Sequence, residues 1–213
     1  RGGGGVGDMT GDPPAPAPIP IGPSGPDYEP ACAAIDAGAA ACTHTFNAMG
    51  LFHQHRPGIM GAVLERPVMC EAICDGRHLH PGSVRMLLAC KGWDKVVAIT
   101  DSIQAAGLPD GHYKLGVNDV VVVDGDAKLA ENGVRAGSTL TTGQALKNLV
   151  QFTGESVEKV LPLLTSNPAR LIGMDYRKGS IAPGKDADLA VLDQDLNVTA
   201  TYVAGQCVFA AQE

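Results

Sequence analysis

The sequence predicts an α/β fold built on a parallel sheet, and three observations carry this. Short apolar runs of strand length alternate with helical patterns over much of the chain, a pattern that calls for parallel strands joined by right-handed crossovers. The residues best suited to chemistry fall at or just after the ends of those runs, the face on which α/β barrels and open sheets carry their sites. Only about four strands are paired with helices, too few for a closed eight-stranded barrel.

The elements follow in order. Residues 1–26 stand apart as a Gly/Pro-rich low-complexity arm, with Arg1-Gly2-Gly3-Gly4-Gly5 and Pro13-Pro14-Ala15-Pro16-Ala17-Pro18. Such a segment buries too little apolar surface to offset its ordering entropy, so a disordered arm or the scar of a truncated sequence is expected. Ile19 and Ile21 read as a strand end that nearby prolines confine to an edge or a loop. Asp27 is placed to cap a helix running through Ala37 and stopping at Gly38. Strands are predicted over 41–46 and 68–74. Pro81 opens a helix that Gly92 closes, and a buried strand spans 95–100. Asp124-Gly125 marks a hairpin between 119–123 and 127–129. A helix is predicted over 141–153, a second is capped by Ser156 and interrupted by Pro162, and a third starts at Asn167-Pro168. Strands at 189–192, 198–203 and 207–210 end the chain.

Composition sets bounds on function. The chain has 213 residues, 45% of them hydrophobic, enough for a substantial core. A net charge of −7 excludes a basic nucleic-acid footprint. No apolar span is long enough for a membrane helix, and no signal-peptide pattern is present. Cys32, Cys42, Cys70, Cys74, Cys90 and Cys207 are dispersed, with no Cys-x-x-Cys pair. Buried free thiols in a reducing, cytoplasmic compartment are expected.

Several residues point to chemistry. His44, in Thr43-His44-Thr45-Phe46-Asn47-Ala48-Met49, lies where a strand gives way to a loop and can serve as a metal ligand, a proton carrier or a satisfied core histidine. Asp101 follows Val96-Val97-Ala98-Ile99-Thr100. It is either a turn former or a carboxylate that deprotonates a metal-bound water and passes the proton to a leaving amine. His78 and His80 share a face if their segment is extended, and one of them is placed to hydrogen-bond a substrate carbonyl or hydroxyl. Ala136-Gly137-Ser138-Thr139-Leu140-Thr141 leads into a helix start, where glycine admits a ligand to the backbone and the helix terminus favours anions. Arg56, in His53-Gln54-His55-Arg56-Pro57-Gly58, can bind a phosphate in bidentate fashion or be simply solvated.

Together with Asp75-Gly76-Arg77-His78, Asn167-Pro168-Ala169-Arg170 and the Lys178–Leu189 block, these motifs resemble the N-acetylglucosamine-6-phosphate deacetylase family of amidohydrolase-type metal enzymes. The likeness runs from about Ile19 to Phe209 and corresponds to the family's C-terminal part. It implies an incomplete TIM-type (β/α) barrel over residues 27–180, followed at 181–213 by a few strands of a small β-sandwich. It implies His44 as a metal ligand, Asp101 as the catalytic base and then acid, and His78 as a contact near the scissile amide. Asn47, Ala48, Ala136, Gly137 and Ser138 would line the sugar-phosphate pocket. The implied reaction is hydrolysis of the N-acetyl amide of N-acetylglucosamine 6-phosphate, with a divalent metal ion, zinc or similar, activating water. An amino-sugar phosphate is the implied partner, and a homodimer is expected from the resemblance alone.

Three positions depart from the family's pattern. Pro23 stands where a second ligand His is expected, and proline has no side-chain donor. The expected carboxylate ligand has no counterpart, since Glu29 falls in a helix on the wrong side of the strand. The family's phosphate-binding Arg aligns with His55, with Arg56 one place later. A catalytic zinc-type site takes three protein ligands and a water, so weak or absent metal binding and little activity are expected of this chain. A non-catalytic sugar-phosphate-binding or structural barrel fragment is the alternative. The Lys178–Leu189 block also allows a dihydroorotase-like or deaminase-like relative, against which the Thr43–Met49 stretch argues.

Overall fold

Four short apolar segments line up as one parallel sheet: β1 (Ile19–Ile21), β2 (Ala39–Cys42), β3 (Met69–Ile73) and β4 (Val96–Ile99), in that spatial order. The computed structural model describes residues 19–22 and 27–211. Most of the expected arm, with Pro23, lies outside the described residues. In register, Cys42 sits opposite Cys70 and Ile73 opposite Ile99, so the strands finish along a common edge.

Each crossover is helical: α1 (Tyr28–Asp36), α2 (Gly58–Glu65) and α3 (Pro81–Lys91). Strand alternation sorts the side chains. Cys70, Ala72 and Cys74 of the β3 region join Val63, Leu87 and Leu149 in the main core. Ile73 points the other way, into a smaller cluster with Leu140 and Ala145. Gly92 closes α3 at φ 77°, a backbone conformation that glycine adopts without strain.

After β4 the chain leaves the sheet for an antiparallel meander, β5 (Gly111–Leu115), β6 (Asn118–Val123) and β7 (Asp126–Leu129), in the order β5-β6-β7. Asp124 and Gly125 form its two-residue turn at φ 51° and 71°, the geometry that matches strand twist in tight hairpins. The meander has its own small core, with Ile103, Ala105, Val120, Val122 and Ala127. The chain then returns for α4 (Thr142–Thr153), α5 (Val157–Val160), a 3-10 turn (Leu161–Leu164) and α6 (Ser166–Leu171). Pro162 converts the helix to that tighter turn, as expected. A third sheet, with order β10-β9-β8, joins β8 (Leu189–Leu192), β9 (Val198–Val203) and β10 (Gln206–Ala210). The architecture is thus an α/β fold with one parallel and two separate antiparallel sheets.

Two expectations differ from the structure, and two elements were not expected. The strand predicted over 41–46 ends at Cys42, because the backbone turns left-handed at His44. Asp27 occupies the first cap position of α1, but its side chain makes no cap bond. The helix α2 was hidden by Pro57-Gly58, which reads as a turn, and by an apolar run with little periodicity. The strand β5, mostly polar and half exposed, carries no clear strand signal.

Candidate functional site

The turn after β2 is built on three non-glycine residues with positive φ, His44 at 29°, Phe46 at 76° and Ala48 at 54°. Each such residue costs about 1–3 kcal/mol, so the surroundings must hold it. The Thr43 N–H donates to the Ile21 carbonyl at 3.0 Å, and the Thr45 N–H to the Glu71 carbonyl at 2.8 Å. Thr43 Oγ1 donates to Glu71 Oε2 at 2.8 Å, and Thr45 Oγ1 to the Cys42 carbonyl at 3.2 Å. Asn47 Nδ2 closes the turn on the carbonyls of His44 and Thr45 at 3.1 and 3.2 Å. Asn47, expected in the pocket lining, therefore also braces His44, while Ala48 is exposed.

His44 Nδ1 is buried and has no hydrogen-bond partner among the described residues. That is how an imidazole held for an ion presents itself. The remaining donors do not follow: no group of three His, Cys, Asp or Glu side chains converges among the described residues. One imidazole does not fit a three-ligand centre. Burial pushes the Cys42 and Cys74 thiols up to about 12, so they stay protonated and inert.

The loop after β3 presents His78. Its Nδ1 lies 2.6 Å from Asp75 Oδ2, and the backbone N–H groups of Arg77 and His78 donate to Asp75 Oδ1 at 2.8 and 2.7 Å. Burial works against the Asp75 charge, but the His78 ring and these N–H groups outweigh it, so the carboxyl sits below its ordinary value. An ionised Asp75 keeps the proton on Nδ1 and leaves Nε2 as the ring's working atom. The segment bends rather than extending, and His80 caps α3 by accepting from the Gly82 N–H at 3.0 Å. Both rings thus engage through Nδ1, His78 on the Asp75 carboxylate and His80 on its own helix start.

Asp101, two residues past β4, is exposed and itself left-handed at φ 50°. The Ala136–Ser138 loop grips it. The Ser138 N–H donates to the Asp101 carbonyl at 2.7 Å, and the Ile103 N–H to the Ser138 carbonyl at 2.9 Å. Ser138 Oγ bonds the Thr100 carbonyl. Gly137 stands at φ 62°, where an added Cβ would lie 2.6 Å from Ile103 Cγ2 and 3.0 Å from the Asp101 carbonyl oxygen. Only glycine fits there.

The structure thus joins Asp101 directly to Gly137 and Ser138, and sets His44 and Asn47 in one turn. Arg56 stands apart in an exposed loop, pairing by backbone with His53. Its guanidinium makes no hydrogen bond or ion pair among the described residues. Sequence reasoning passed over Glu71, Asp75, Asp126 and Arg135. Glu71, a lone charge inside an apolar strand, and Asp75, three residues before His78, were visible signals. Asp126 and Arg135 gave none.

Comparison with known proteins adds the following. Residues 27–208 match the model of the amidohydrolase family. The chain is 36% identical over 189 residues to an N-acetylgalactosamine-6-phosphate deacetylase of Escherichia coli O157:H7, covering 88% of this chain and 50% of that protein. It is 37% identical to an N-acetylglucosamine-6-phosphate deacetylase of Bacillus subtilis, covering 84% and 46%. The crystal structure of the Thermotoga maritima N-acetylglucosamine-6-phosphate deacetylase superimposes with a TM-score of 0.82 at 39% identity, over 87% of this chain and 51% of that one. The chain spans about half the length of the curated relatives it matches.

Proposed function

The chain belongs to the amidohydrolase family, and from that premise we propose that it carries the C-terminal part of a deacetylase acting on N-acetylglucosamine 6-phosphate. The likeness to deacetylases of amino-sugar 6-phosphates, in sequence and in fold, is the observation that carries this reading. In this reading the amide is cleaved by water to glucosamine 6-phosphate and acetate. Asp101 takes a proton from the attacking water and returns it to the leaving nitrogen. His78, its Nδ1 fixed by Asp75, uses Nε2 to hydrogen-bond the amide carbonyl. Gly137 and Ser138 hold the Asp101 backbone and, with Asn47 and Ala48, line the sugar-phosphate pocket. His44 supplies one metal-type donor, and Arg56 is assigned to the phosphate.

The family is consistent with a TIM-type barrel. Residues 27–180 are a partial barrel from its C-terminal part in this reading, and residues 181–213 belong to a small β-sandwich. No helix among the described residues is long and apolar enough to cross a membrane, and a cytoplasmic location is proposed from the unpaired cysteines.

The test is release of glucosamine 6-phosphate by the purified chain supplied with zinc, beside the galactosamine epimer. Asp101→Asn is expected to lower kcat about 10²–10⁴-fold with KM little changed. Turnover that survives Asp101→Asn would remove that residue's role. The lack of three converging ligands among the described residues favours a second reading, a non-catalytic sugar-phosphate-binding fragment. Calorimetry that finds metal-independent binding without turnover would select it.

A further inference from the structure

Between the His78 loop and the Asp101 loop runs a connection that the reaction has not yet used. Asp126, on β7, is a buried charge, 8% exposed. Arg135 grips both its oxygens, Nε at 2.7 Å and Nη2 at 2.9 Å. Lys128 Nζ lies 3.0 Å from the same carboxylate and Arg77 Nη1 3.8 Å. With Nε and Nη2 spent on the fork, Arg135 Nη1 donates to the Arg77 carbonyl at 3.2 Å, inside the turn that presents His78. Arg77 in turn donates to the Asp124 carbonyl in the hairpin turn. On its other side Arg135 leads directly into Ala136-Gly137-Ser138, whose Ser138 N–H holds the Asp101 carbonyl. One residue, by its side chain toward the His78 turn and by its backbone toward Ser138, therefore ties together the two loops that carry His78 and Asp101.

Guanidinium chemistry suits the task. Its planar donors make the fork to Asp126 and still leave one aimed elsewhere, whereas an ammonium is a point charge on a flexible stem. With Asp126 buried and Arg135 partly open to solvent, the pair is weak support for stability as such, and the best-attested use of such pairs is to fix one arrangement among several. We propose that Arg135, locked by Asp126, is a positioning residue that sets the spacing between His78 and Asp101 for the deacetylation read above, on which this proposal rests. Misplacement of reacting groups by about 1 Å can cost about a hundredfold in rate.

Two variants test it in the full chain, Arg135→Lys and Arg135→Met. Amide exchange followed by NMR reports the His78 and Ser138 N–H groups, with Val120 and Val122 as hairpin controls and the His78 ring nitrogens as a local signature. In R135K the controls stay protected. The His78 and Ser138 amides exchange faster together, by about tenfold, and the His78 ring signals shift. With N-acetylglucosamine 6-phosphate, kcat falls about a hundredfold while KM stays within about threefold. Faster exchange at only one of the two amides, or at neither, overturns the proposal. So does an unchanged kcat when both loosen. If R135M loses the hairpin altogether, R135K, which keeps a cation on Asp126, decides. If the wild-type chain shows no turnover with zinc, as its incomplete ligand set predicts, the exchange data alone decide whether Arg135 couples the two loops, and the same exchange result at only one amide or at neither still overturns the proposal.

Discussion

At the scale of single residues, the candidate site depends on backbone conformations that L-residues rarely adopt. His44, Phe46, Ala48 and Asp101 all stand at positive φ, and the bonds around them come from neighbouring strands, from Asn47 and from the Ala136–Ser138 loop. Gly137 shows the same dependence from the opposite side, since its lack of a side chain lets the loop close on Asp101. Gly137→Ala is expected to destabilise the chain by about 1–3 kcal/mol, from left-handed strain together with the contact on Ile103. Urea denaturation measures this, and an unchanged midpoint would show that the loop gives way freely. The conformational part of the site was invisible in the sequence. Nothing in Thr43–Met49 announces three left-handed residues, whereas the chemical types of His44, His78 and Asp101 were legible at once.

At the scale of elements, packing explains what sequence motifs left open. Asn167, in the short helix α6, is 1% exposed and donates to the carbonyls of Trp93 and Val96 at 2.6 and 2.8 Å. The Asn-Pro pair is thus a tie between α6 and the start of β4. The hairpin β6–β7 is tied to the rest through Asp126, whose carboxyl the Arg135 fork, with Lys128 beside it, holds well below the usual carboxylate range. A folded-state pKa below the unfolded value contributes stability that is present above about pH 4 and is lost as pH falls below it. Asp126→Asn should therefore be less stable than wild type at pH 7, and the gap should narrow at pH 3. Urea midpoints at the two pH values check this, and a gap that stays constant would deny Asp126 the part assigned to it. Helices with clear caps and periodic faces, α3 and α4, were legible in the sequence. The helix α2 and the strand β5 were not, because their burial is set by neighbours far along the chain.

At the scale of the whole molecule, the parallel sheet and the order of its crossovers follow from the alternation of strand and helix patterns. A parallel sheet with helical crossovers was legible from that alone, whereas the place of β1 in it, read as an edge or a loop, was not. How the two antiparallel sheets form was not, since hairpin signals give local pairing but no docking partner. Phe46, Met49, Leu51, Phe52, Met60 and Met86 border an apolar groove of about 500 Å³, in which Leu51 is 93% exposed. Surfaces of this kind mark contacts with other molecules, and we propose that this one seats a second copy of the chain, the homodimer expected from the resemblance. Light scattering is expected to give twice the monomer mass, with Leu51→Asp shifting it toward the monomer. A monomer at all concentrations would exclude self-association.

The mutual grip of the Asp101 and Ser138 backbones has one more consequence. Residues 103–137 depart from the sheet and come back to the point they left, where the Ile103 N–H meets the Ser138 carbonyl at 2.9 Å. A segment whose ends already touch, and which has its own small core, is an insertion cassette. Length changes at its outer turn, where Val117 is 92% exposed, should leave the strands on either side undisturbed, whereas Asp126, Arg135 and Gly137 are fixed by their contacts. Exchanging this cassette between relatives would transplant the Asp126–Arg135 device as a single genetic unit.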